Sequence, residues 1–90
     1  MKLEDAIFNW LQIKIVADAR MDDGAATETL QFFETILTED HKLDHYAVDR
    51  TDDHAYFIQY TQEGKLHELK YDRELVEKLL DDINSNPKYN

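Results

Sequence analysis

Two runs of alternating apolar and polar residues, YFIQYTQ (56–62) and KLHELKY (65–71), meet at Glu63-Gly64. No other feature restricts the fold as much. A period of two belongs to a strand with one buried face, because successive side chains point to opposite sides. A two-residue connection containing glycine closes such runs into a hairpin and sets their register. The pairing places Tyr60 opposite His67, Ile58 opposite Leu69 and Tyr56 opposite Tyr71. Upstream, Thr51-Asp52-Asp53 reads as a second turn, since aspartate bonds readily to nearby backbone. A three-residue loop there predicts Val48 opposite Tyr56 and Tyr46 opposite Ile58. One face then carries Tyr46, Val48, Tyr56, Ile58, Tyr60, Leu69 and Tyr71, and the other His45, Ala47, Asp49, Phe57, Gln59, Glu68 and Lys70. A one-residue slip would spoil that separation. The tyrosines are thus expected on the inner face of a three-stranded antiparallel meander, under a layer of helices.

The clearest helical pattern is RELVEKLLDDI (73–83), where Leu75, Val76, Leu79, Leu80 and Ile83 form one stripe. Asp72 is a suitable N-cap, and Glu74 sits favourably in the first turn. Residues 24–39 make a second helix through Ala26, Leu30, Phe33 and Leu37, widened by Phe32 and Ile36, with Asp22 or Asp23 as cap. Residues 3–19 are ambiguous. Leu3, Ile7, Trp10, Leu11 and Ala17 suit a helix, whereas Leu11, Ile13 and Ile15 alternate as in a strand. A strand would need a turn between Trp10 and Gln12, and none is encoded, so the reading is one long helix. The expected architecture is α+β: an N-terminal helical hairpin, the meander and a C-terminal helix (α-α-β-β-β-α), with the helices on one face of the sheet. Residues 1–84 are expected to form a single compact domain, and residues 85–90 a polar tail.

Composition narrows the function. The chain has 90 residues and no cysteine, which excludes disulfides, thiolate metal sites and cysteine nucleophiles. Twenty acidic residues against ten basic ones give a net charge of −10. That charge opposes nucleic acid and anionic membranes, because no basic patch exists to displace counterions. No segment approaches the ~20 apolar residues of a membrane-spanning helix. No signal peptide is legible, and a cytoplasmic location is expected.

The chemistry-bearing residues lack catalytic spacing. His41, His45, His54 and His67 follow no metal-ligand signature. The pairs Glu39-Asp40, Asp52-Asp53 and Asp81-Asp82 are adjacent in sequence, so their carboxyls diverge rather than converge on a substrate. Ser85 is the only serine, and the two glycines stand alone, which excludes a glycine-rich phosphate loop. No cofactor, catalytic residue or metal ligand is predicted.

Two features point outward instead. The 3–19 helix is apolar nearly all round, through Ile7, Phe8, Trp10, Leu11, Ile13, Ile15 and Val16. Such a helix needs cover on several sides, which makes Phe8, Trp10 and Ile13 candidates for contact with another protein or a second copy of the chain. Residues 39–53 hold six acids against Lys42 and Arg50. Asp44, Asp49, Asp52 and Asp53 are therefore candidates for an acidic rim. A non-catalytic domain that binds a protein is the expectation. The alternatives are an acidic regulator of a basic, nucleic-acid-binding protein, and a histidine-based metal or small-ligand module.

Overall fold

The computed structural model describes residues 1–85, so the expected tail lies outside the described residues from position 86 onward. The order is α1 (Leu3–Ala19), α2 (Gly24–Thr35) with a final π-wound turn (Ile36–Asp40), β1 (Leu43–Thr51), β2 (Ala55–Gln62), β3 (Lys65–Asp72) and α3 (Arg73–Ser85). The α-α-β-β-β-α architecture read from the sequence is the one observed. Residues 3–19 are helical throughout, and no helix among the described residues is long and apolar enough to cross a membrane.

Local chemistry sets the boundaries. Asp23 caps α2, its carboxylate accepting from the Ala26 N–H at 3.1 Å. Asp72 does the same for α3, accepting from the N–H groups of Glu74 at 2.9 Å and Leu75 at 3.3 Å. α2 ends when His41 N–H donates to the Ile36 carbonyl, five residues back, and Lys42 turns left-handed at φ 57°. Gln62 Nε2 donates to the His41 carbonyl at 2.8 Å and fastens that turn to the sheet.

The sheet runs β1-β2-β3, all antiparallel. Glu63 (φ 53°) and Gly64 (φ 77°) both take positive φ, as a type I′ turn requires. The second hairpin has the expected register: Tyr56 faces Tyr71, Ile58 faces Leu69 and Tyr60 faces His67. The first hairpin differs. Val48 faces Ile58 and Tyr46 faces Tyr60, with Thr51 rather than Val48 opposite Tyr56. The loop is Asp52-Asp53-His54, closed because Asp52 Oδ1 accepts from the N–H groups of His54 (2.8 Å) and Ala55 (2.7 Å). The register also shifts at Asp44 and Asp49, each an extra residue on β1. Between these bulges the pairing moves by two, so Tyr46 and Val48 keep their expected face.

α1 lies at the centre of the molecule. Ile7, Trp10 and Leu11 join Leu37, Leu43, Ile58, Tyr60 and Val76 in one cluster, against which Tyr46, Val48, Tyr56, Leu69 and Tyr71 pack. Ile13 and Val16 form a second cluster with Ala26, flanked by Leu30, Phe33, Leu79, Leu80 and Ile83. The sheet therefore covers one side of α1, and α2 and α3 cover the others. Its nearly continuous apolar surface is accounted for within one chain.

Candidate interaction surface

Of the apolar residues singled out from the sequence, Trp10 is 3% exposed and Ile13 8%. Both belong to the core. Phe8 is half-buried and stands beside β3, its ring centroid 5.8 Å from that of Tyr71. The four aspartates are spread along one sheet edge and its turn. Asp44 and Asp49 occupy the β1 bulges, Asp52 and Asp53 the following turn, and all are exposed. They do not share one role. The Asp52 carboxylate is held below the usual range by its bonds to the His54 and Ala55 N–H groups, so it belongs to the turn. Among the described residues, Asp44, Asp49 and Asp53 make no side-chain hydrogen bond or ion pair.

The turn is tied to α3 by a polar cluster that sequence spacing did not reveal. Arg73 Nη1 donates to the Asp52 carbonyl at 2.9 Å, and Arg73 N–H to the His54 carbonyl at 2.9 Å. Arg73 Nε also pairs with Glu77 at 3.0 Å, and the Tyr56 hydroxyl donates to the same carboxylate. Burial first, and Glu77 second, push the Tyr56 phenol up from 10 to about 12. Burial and the Glu4 and Asp5 carboxylates raise Tyr71 as well, whose hydroxyl donates to the Glu4 carbonyl at 2.7 Å. A raised phenol value means that the fold favours the neutral form. The stabilisation is therefore intact below the unfolded value of about 10 and is lost as pH climbs through the folded value. Denaturation midpoints should accordingly fall between about pH 10 and pH 12, and Tyr56→Phe should make that fall shallower. Urea titrations across that range check this; equal slopes for the two proteins would show Tyr56 unlinked to stability.

The open face of the sheet carries the row Arg50, Phe57, Lys70. The Arg50 guanidinium sits 3.8 Å from the Phe57 ring centroid and Lys70 Nζ 5.9 Å from it. These cations cover an aromatic ring that would otherwise face water. The histidines are dispersed. His45 and His54 are exposed, and His67 stacks on Tyr60 with centroids 5.0 Å apart. Among the described residues no three His, Asp or Glu side chains are placed to hold a metal ion.

The two sheet edges differ. β1 is broken by two bulges and lined with aspartate, both of which obstruct pairing with another strand. β3 runs eight residues with no register shift. Arg73 N–H donates to the His54 carbonyl, continuing the alternation in which odd-numbered residues of β3 bond to β2. The backbone groups of Leu66, Glu68 and Lys70 consequently point away from the sheet, with no partner among the described residues. Leu66 is 66% exposed. No protein-family model, no curated protein and no solved structure matches this chain.

Proposed function

We propose that this chain is a non-catalytic, cytoplasmic protein-interaction domain whose partner joins at the β3 edge. The observation that supports it is the inequality of the sheet edges. A row of unpaired backbone donors and acceptors is a template for another strand, and the chain obstructs one such row while leaving the other regular. Leu66→Pro would remove an outward donor and place a ring on that edge without touching a bond to β2. Affinity capture from the source cells should recover a discrete protein with the native chain and lose it with Leu66→Pro. Equal recovery by both, or none by either, would count against the reading.

A second reading, an acidic regulator of a basic protein, is favoured by Asp44, Asp49 and Asp53, which are exposed along the other edge and its turn. Replacing these three by asparagine should weaken and slow such a complex at low salt. The difference should vanish near 1 M, where the screening length is about 3 Å. Asp52 must be left intact, because its carboxylate closes the turn. Capture that is indifferent to the triple change leaves the aspartates with edge protection and solubility only.

A further inference from the structure

We infer that β3 pairs with β3 of a second copy, antiparallel and about a two-fold axis at Leu69, giving a continuous six-stranded sheet. The inference rests on the interaction reading of the β3 edge and names its occupant. In such a pair the outward-pointing even-numbered residues must oppose one another, so the axis has to pass through a residue. Charge and the length of overlap then select which one. An axis at Tyr71 also opposes Lys70 to the partner's Asp72, but it overlaps only residues 70–72 because β3 ends at Asp72. An axis at Glu68 sets two glutamates face to face. An axis at Lys70 opposes two lysines and places Glu68 against the partner's Asp72. An axis at His67 leaves Glu68 opposite the partner's Leu66. Only the axis at Leu69 puts Glu68 opposite the partner's Lys70 and Lys70 opposite the partner's Glu68. Both are hydrogen-bonded positions on the exposed face.

The same register continues on the inner face. Leu69 meets the partner's Leu69, and His67 meets the partner's Tyr71. Phe8 is half-buried against Tyr71 beside this seam, and Leu75, 59% exposed near the start of α3, lines a surface hollow with Phe8. A strand-to-strand contact of this kind falls in the size class of transient interfaces, below about 1,200 Å². Each copy carries −10, which resists association. At 0.15 M ionic strength, however, the screening length is about 8 Å, so contact pairs across the seam persist while the net charges are largely hidden.

Sedimentation equilibrium of the pure chain at 0.15 M salt, from about 10 µM to about 1 mM, should show the average mass rising from one copy toward two. Glu68→Lys alone puts lysine opposite lysine, and Lys70→Glu alone puts glutamate opposite glutamate. Each should weaken dimerisation by about tenfold or more. Both side chains are exposed, and Arg50, at 3.8 Å, still covers Phe57 when Lys70 is replaced, so the melting curves should stay close to native. An equimolar mixture of the two single variants restores both opposite-charge pairs and should dimerise at least as well as the native chain. A monomer throughout the range, a dimer that ignores both changes, or a mixture that remains monomeric would overturn the pairing. If the pure chain is monomeric while Leu66→Pro still abolishes capture of a different protein, self-pairing fails and the interaction reading stands.

Discussion

Ile58→Asp is expected to leave no folded population at 25 °C. Ile58 is fully buried at the middle of the central strand, against Ile7, Trp10 and Leu11 of α1. A carboxylate there has no cation within the inner cluster and costs several kcal/mol, against a total stability of about 5–15 kcal/mol for a typical domain. A 90-residue chain with a small core sits toward the low end of that range. Gln59→Asp is the control. Gln59 faces outward between Ala47 and Glu68, so a new carboxylate meets only a like charge across the strand, at a cost below about 1 kcal/mol. Far-ultraviolet circular dichroism and urea titration separate the two. Similar unfolding curves would mean that the inner and outer faces are wrongly assigned.

Trp10→Ala should lower stability by about 3–5 kcal/mol, the range for removing a large buried aromatic side chain. Trp10 joins α1 to the sheet and packs edge-on against Tyr46, with ring centroids 5.2 Å apart at 90°. Its indole N–H is buried with no acceptor among the described residues. Trp10→Phe keeps most of the ring and removes that unpaired donor, whose burial costs about 1–3 kcal/mol. The phenylalanine variant should therefore retain most of the native stability. If alanine costs less than about 1 kcal/mol, Trp10 is not a core residue. If phenylalanine is as damaging as alanine, the unpaired N–H carries no penalty.

The second hairpin was legible because nothing interrupts it. Gly64 supplies a positive φ, and the alternation from Tyr56 to Tyr71 runs through the turn without an extra residue. The first hairpin was legible in its faces but not in its pairs. Asp44 and Asp49 bulge from β1, and Asp52 closes a loop one position later than the turn signal suggested. Composition does not distinguish an aspartate in a bulge from one in a ladder, because both are short polar residues in a strand-like context. Since the pairs moved by two, Tyr46 and Val48 stayed inside.

α1 illustrates a different limit. Its helical character is local and was readable; what surrounds it is not local. An apolar circumference is equally compatible with a partner molecule and with burial between a sheet and two helices. Val76 and Leu79 of α3, with Ala26 and Leu30 of α2, supply the second arrangement. Trp10 and Ile13 accordingly moved from candidate surface to core, while Phe8 kept partial access at the β3 seam. The acidic rim was readable as a charge cluster. That Asp52 bonds to backbone whereas Asp44 and Asp49 break a ladder appears only once the loop is closed.

Residue-resolved amide exchange at two concentrations tests the role of the β3 edge most directly. His67, Leu69 and Tyr71 bond to β2 and should be protected at about 10 µM and about 1 mM alike. Leu66, Glu68 and Lys70 point outward and should exchange freely in the dilute sample. In the concentrated sample they should become protected, while the amides of β1 stay unchanged. Exchange of Leu66, Glu68 and Lys70 at the same fast rate in both samples would contradict the account, as would protection that appears along β1 instead.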